Sequence, residues 1–289
     1  MAEKTHFYVP NSMQHCTGLA GPVQSPPRRP GVQRRVAVWA ALLVVAILPL
    51  HWARADLADT VARVKPSVVI IGTFRATDSP RFRLRGTGFV AGSGNTVITN
   101  AHVLPDSAEN QDGMSLVIQV RGAGPELGMR NAKLLELDRV HDLALLRFDG
   151  APVPAMLVRD SDTVREGQSV AFTGFPIGGA LGFSPVTHRA TVSSIVAAAQ
   201  PAPTARQLTE STIRGARSGS FEVFQLDGTA YPGNSGGPLF DPESGAVLGV
   251  VNMVFIKGTR EGALSQPSGI SYAIPSKFVR QLLVRAGIR

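Results

Sequence analysis

The sequence predicts an all-β protein of two strand-rich lobes, joined by a linker and closed by a C-terminal helix. Three observations carry this. Short β-branched and apolar runs recur between residues 67 and 274, separated by glycine, asparagine, aspartate or proline, which is the spacing of an antiparallel sandwich or barrel. The 289 residues include 30 glycines and 21 prolines, the residues that make tight turns. A proline-bearing stretch at residues 151–163 divides the runs into two sets. With 44% hydrophobic and 17% charged residues, the chain is suited to a packed core rather than to disorder.

Residues 1–55 are expected to be a leader, either a signal peptide or a membrane anchor. A polar, proline-rich start is followed by Arg34-Arg35, an apolar run over residues 36–50, and Ala53-Arg54-Ala55. That last tripeptide has the small-x-small pattern of a signal-peptidase site, with Asp56 as the new N-terminus. The apolar run is shorter than the roughly 20 residues of a spanning helix, and Pro49 breaks it. An exported protein, periplasmic or secreted, follows from cleavage; an uncleaved membrane anchor is the alternative.

The formal charge of +8 raises the question of a nucleic-acid partner. Six basic residues and one acid lie in residues 1–55, so 23 basic and 20 acidic residues remain beyond them. A balance of about +3 does not describe a nucleic-acid groove. The single cysteine, Cys16, lies in the leader. Residues 56–289 therefore offer no disulfide and no thiolate nucleophile or metal ligand.

Residues 56–150 read as a short helix and a first set of strands. Leu57, Val61 and Val64 share one helical face, Asp56 can cap the start and Pro66 ends it. Strands are expected at 67–74, 85–90, 96–100, 115–120 and 143–148. Residues 164–289 hold a second set, at 169–173, 187–196, 221–226, 238–240, 246–255 and 269–274. Phe278, Val279, Leu282 and Leu283 then fall at helical spacing. Residues 199–220 are polar and rich in Gly, Ser and Thr, the composition of a long loop.

The chemistry centres on Tyr231-Pro-Gly-Asn-Ser235-Gly-Gly-Pro. Glycines on both sides of a serine permit a tight turn and close backbone approach. A serine nucleophile needs both, together with backbone N–H groups aimed at a developing oxyanion. It also needs a base, and the base needs an acid to orient it. Only His102, His141 and His188 lie beyond the leader. His102 directly follows the strand at 96–100, where a side chain can face a cleft; an ordinary half-buried histidine is the bland alternative. Asp142 opens an apolar strand, where a carboxylate would need a partner, although a turn cap would also account for it.

Six ordered segments resemble the chymotrypsin-fold (trypsin-like) serine proteases, and most closely the HtrA/Deg branch. Gly86-Thr-Gly-Phe-Val90 resembles that branch's Gly-Ser-Gly-Phe, and Thr99-Asn-Ala-His102-Val resembles its Thr-Asn-x-His-Val. Asp142-Leu-Ala-Leu-Leu resembles Asp-Leu-Ala-x-Leu, and Gly174-Phe-Pro-Ile-Gly178 resembles Gly-x-Pro-x-Gly. Pro232-Gly-Asn-Ser235-Gly-Gly-Pro-Leu and Gly269-Ile-Ser-Tyr-Ala-Ile-Pro-Ser276 complete the set. The likeness covers about residues 57–285. No Ile-Val-Gly-Gly-like start is present, and a protease part without a PDZ domain is expected.

The resemblance implies two antiparallel β-barrels of the chymotrypsin type with the active site between them. It implies a serine endopeptidase with catalytic His102, Asp142 and Ser235, and an oxyanion hole from the N–H groups of Gly233 and Ser235. Substrate-binding residues would be Thr229 and Ala230 at the primary pocket, with Val251 and Met253 on an edge strand around 250–253 that pairs with extended peptide. Neither metal nor organic cofactor is implied. The partners would be exported or unfolded polypeptides, with self-association through residues 56–64 a further expectation. A catalytically silent chaperone or peptide-binding protein on the same fold is the alternative. Loops at 175–185, 199–220, 226–233 and 256–267 would have to order before the hole could work.

Overall fold

The computed structural model describes Gly21 and residues 56–105, 113–121, 127–176, 183–198, 221–253 and 269–288. The expected leader, apart from Gly21, and the loops at 199–220 and 256–267 lie outside the described residues.

Twelve strands form two closed antiparallel barrels. The first holds β1 (Val68–Arg75), β2 (Phe82–Ala91), β3 (Thr96–Asn100), β4 (Met114–Arg121), β5 (Leu127–Asp138) and β6 (Leu143–Phe148), in the order β1-β2-β3-β6-β5-β4. The second holds β7 (Ser169–Gly174), β8 (Val186–Ala197), β9 (Glu222–Leu226), β10 (Pro238–Phe240), β11 (Val247–Asn252) and β12 (Ser271–Pro275), in the order β7-β8-β9-β12-β11-β10. The two orders are the same. Closure leaves neither sheet with a free edge.

Strand alternation explains why so many strands are buried along their whole length. In the first barrel Val69, Ile71, Val90, Val97, Ile118 and Leu146 point inward. In the second, Val170, Phe172, Val192, Phe224, Leu239 and Val251 fill the interior. The opposite faces of β2, β3 and β6 present Phe89, Ile98, Leu143 and Leu145 to Ala171, Phe240, Val250 and Ile274. An apolar seam therefore joins the barrels, and each fully buried side chain of this size contributes about 1.5–3 kcal/mol.

Two helices close on this seam. Helix α1 (Leu57–Val64) is capped by Asp56, which accepts from Ala58 N, and buries Val64 in the seam. Its Thr60 and Arg63 both donate to Glu243 O of the second barrel. Helix α2 (Ser276–Arg285) buries Phe278, Val279, Leu282 and Leu283. Residues 151–163 cross between the barrels, with Met156 N donating to Val90 O and Val158 making a single parallel bridge to Val247.

Strand β5 departs from expectation. Nothing in residues 127–138 alternates cleanly, yet residues 127–131 pair with β4 and residues 132–138, Leu135 excepted, pair with β6. Only Ala132 and Asp138 are buried, and a register shift between Leu134 and Glu136 breaks the period. Backbone pairing holds this strand, and the pattern of side chains does not report it. A second departure is β11, which pairs with β10 and β12 and is no edge.

Candidate active site

The ladder between β3 and β6 brings two side chains together across forty residues. Its register pairs Asn100 with Leu143 and continues one step further, with Ala101 N donating to Asp142 O at 3.0 Å. Asn100 Nδ2 donates to the same carbonyl. The next residue, His102, sits in a single 3₁₀ turn (Ala101–Val103) directly after β3. Asp142 takes a left-handed backbone, φ 52°, that ends the turn from β5 and turns its carboxylate toward His102.

That carboxylate accepts three hydrogen bonds. His102 N donates to Oδ1 at 2.9 Å, His102 Nδ1 to Oδ2 at 2.6 Å, and Asn252 Nδ2 to Oδ2 at 2.7 Å. A carboxylate only accepts, so Nδ1 carries the proton and Nε2 keeps a free lone pair. His102 and Asp142 side chains are 26% and 21% exposed, so the pair is sheltered while the imidazole stays reachable. Asn252 comes from the end of β11 in the second barrel and was not anticipated. It ends the apolar run Val-Leu-Gly-Val-Val and is fully buried, and nothing beside it in sequence names its partner.

Ser235 is 6% exposed and lies in the turn that leads into β10. Asn234 N donates to Tyr231 O at 2.9 Å, with Pro232 second and Gly233 third at φ 103°. Proline then a positive-φ glycine is the requirement of a type II turn. Gly236 has φ 86°, and a Cβ there would lie 2.1 Å from Thr87 O and 2.3 Å from Thr99 Oγ1, so only glycine fits. Thr87, also unanticipated, pins the turn to the first barrel. Its N donates to Ser235 O at 2.9 Å and its Oγ1 to Gly233 O at 2.6 Å.

Backbone donors around the serine divide into two groups. Asn234, Gly236 and Gly237 N–H each donate to a backbone carbonyl. Gly233 and Ser235 N–H donate to no acceptor among the described residues. Ser235 Oγ likewise makes no hydrogen bond to His102 among them, as is common before substrate binds.

The remaining expected site residues fall unevenly. Ala230 is buried in the second barrel's core, with Met253 packed against the same cluster and Thr229 half-buried beside Ala230. Ala230 N donates to Ser271 Oγ, which in turn donates to Gly228 O. Asp227 accepts from Thr191 N and is spent on β8. Val251 is a correction: it is fully buried, its N donates to Gly237 O, and its carbonyl accepts from Gly236 N. Interior pairing on both sides leaves its backbone nothing to offer a substrate, and the described ladder ends at Asn252, one residue before Met253.

Two other histidines have structural settings. His141 stacks on Phe278 of α2 at 3.9 Å and shares a 2.9 Å hydrogen bond with Asp138. Burial pushes the Asp138 carboxyl upward, but bonds from His141 and Arg285 outweigh it and hold it below its ordinary value. His188 stacks on Phe172, and burial holds its pKa below the usual 6.5. No cluster of histidine, cysteine or carboxylates able to hold a metal ion occurs among the described residues.

A serine turn, a histidine oriented by a sheltered carboxylate, and two six-stranded barrels around them define a class of protein. The trypsin-like peptidase domain matches residues 86–250, more than half of the chain, and the chain belongs to that family. Within it the similar proteins include serine protease HTRA1 of Xenopus tropicalis, 28% identical over 80% of this chain and 43% of that protein. A probable periplasmic serine endoprotease, DegP-like, of Halomonas elongata is 31% identical over 67% of this chain and 33% of its own length. The chain thus spans less than half the length of these relatives. Among solved structures, an HtrA-type protease, AlgW with a tripeptide, superposes with a TM-score of 0.55 at 23% identity, over 81% of this chain and 65% of that one, a likeness of fold. No helix among the described residues is long and apolar enough to cross a membrane.

Proposed function

We propose that this chain is a serine endopeptidase acting on exported or unfolded polypeptides. Ser235 is the nucleophile, His102 the general base and then acid, and Asp142 the group that orients His102 and stabilises its cation. The observation that carries the reading is the Asp142 carboxylate, which fixes His102 from two atoms and is itself held by Asn252. A carboxylate held that way leaves Nε2 as the base.

In the reaction Ser235 Oγ adds to the scissile carbonyl while Nε2 takes its proton. The tetrahedral oxyanion is met by the N–H groups of Gly233 and Ser235, the two donors with no acceptor among the described residues. One such donor is worth about 10²–10³ in turnover. His102 returns the proton to the leaving amine, and water then cleaves the acyl-enzyme by the same path. Thr229, Ala230 and Met253 border an uncharged primary pocket that favours small or medium apolar side chains. Residues 1–55 serve as a cleaved leader, which places the mature chain in the periplasm or outside the cell. Self-association through residues 56–64 would use the exposed Ala58, Asp59 and Ala62, since Thr60 and Val64 are buried within the chain.

A fluorophosphonate should label the wild-type protein at Ser235 and leave Ser235→Ala unlabelled, with peptide hydrolysis falling about 10⁶-fold. Wild-type turnover in Ser235→Ala would remove the reading. A wild-type chain that binds peptide but neither labels nor cleaves would assign the fold to silent peptide binding instead.

A further inference from the structure

A cleft of about 270 Å³ on the first barrel is walled by Arg75, Arg81, Arg83 and Arg85, with Asp78 as its single carboxylate. The register places Arg83 opposite Thr73, two residues before Arg75 on β1. Asp78 is shared, at 3.3 Å from Arg83 Nη2 and a loose 3.9 Å from Arg75 Nη1. Arg75 Nε and Nη2 are shielded from solvent and have no hydrogen-bond partner among the described residues. The exposed Arg83 guanidinium is the group an incoming carboxylate reaches first, its two oxygens fitting the planar fork, with the unmatched Arg75 behind it to receive the charge once the side chains shift.

The cleft is tied to the active site. Arg85 donates from Nε to Val103 O and from Nη2 to Leu104 O, the carbonyls that follow His102. Two residues on, Thr87 holds the Ser235 turn. At about 3.3 Å per residue, Arg83 lies about 13 Å along β2 from Thr87. An extended polypeptide covers that distance in about four residues. Its acyl half is claimed by Thr229 and Met253 of the second barrel. The leaving half departs on the side of His102, which protonates it, and therefore passes along β2.

We propose that this cleft receives the carboxylates of an acidic segment three to five residues beyond the cleaved bond, so that Arg75 and Arg83 are specificity-determining residues. The inference rests on the peptidase reading of Ser235, His102 and Asp142. Two internally quenched peptides decide it, identical except for Asp or Asn at those positions. The acidic peptide should show a kcat/KM about tenfold higher, the scale of a hydrogen bond to a charged group. The ratio should shrink at about 1 M salt, where screening acts over about 3 Å.

Arg83→Gln should lower the ratio, and Arg75→Gln with Arg83→Gln should bring it near one. The Arg83 side chain is 62% exposed, so the single variant keeps the fold. Fluorescence anisotropy of the same two sequences, carrying the fluorophore without its quencher, on Ser235→Ala protein reads the preference without turnover. A binding preference with no hydrolysis in the wild type supports the cleft and defeats the peptidase reading. Hydrolysis with equal rates for both peptides overturns the inference and leaves the peptidase standing. Inorganic phosphate that competes equally with both peptides, when their ratio is one, would assign the arginines to a free anion and also overturn it.

Discussion

The two barrels share one strand order but supply the site in different ways. In the first barrel the β3–β6 ladder sets the spacing of His102 and Asp142, and the backbone bond from Ala101 to Asp142 extends it. In the second, Ser235 sits on a turn held by a few contacts, two of them hydrogen bonds from Thr87 of the other barrel. Asn234, fully buried beside the serine, leaves both polar side-chain atoms without a partner among the described residues. A ladder spreads its hold over many bonds, whereas a turn depends on shape. The first half of the site should therefore fail by losing a charge, and the second by losing room.

Asp142→Asn breaks the comparison most sharply. It keeps the ladder but removes the negative charge and favours the wrong imidazole tautomer, so turnover should fall about 10⁴-fold. Thermal unfolding should change little. A variant that unfolds instead would show that the carboxylate holds the fold rather than the proton.

Gly236→Ala tests the other half. The added Cβ would meet the Thr87 carbonyl at 2.1 Å in a left-handed backbone, which should cost about 3 kcal/mol or more in stability. Denaturant unfolding measures it. A midpoint equal to wild type would mean that the turn is not confined as described.

Asn252→Ala sharpens the comparison where the barrels meet. It removes one hydrogen bond to a charged acceptor, worth about 10–100-fold in turnover, with KM nearly unchanged. An equal loss in KM alone would make Asn252 a substrate-binding residue rather than a positioning one.

The smallest effect concerns His188. Its folded pKa lies below the usual 6.5 because burial disfavours the cation. The unfolded chain then binds more protons below pH 6.5, so this group withdraws stability as pH falls through 6.5 toward its folded value. His188→Phe should flatten the fall in melting temperature between pH 7 and 5. Parallel curves for variant and wild type would remove the effect.

The elements that were legible in the sequence are those whose signal is local. Val69 and Ile71 alternate with Val68 and Ile70 within one strand, and Phe278 to Leu283 repeat within one helix. His102, Asp142 and Ser235 each stand in a short motif that marks a strand end or a turn. Strand β5 was not legible, since its pairing is made by backbone and only two of its side chains are buried. Asn252 and Thr87 were not legible either. Their partners lie 110 and 146 residues away, at Asp142 and Gly233, and nothing beside them in sequence records the contact. Of the edge expected around residues 250–253, Val250 and Val251 are paired on both sides: apolar content marks a strand but not how many neighbours it has.

Helix α2 returns from the second barrel to the turn that carries Asp142. Arg285 Nη2 donates to Asp138 Oδ2 at 2.9 Å, and Phe278 lies flat on His141. The order of synthesis then sets the order of assembly. A chain emerging from the ribosome completes His102, Asp142 and Ser235 before the brace over residues 138–141 exists. The seat of Asp142 is finished only by a helix that follows all three residues in the chain, so a nascent chain that stops short of α2 holds His102, Asp142 and Ser235 while lacking the support that fixes one of them.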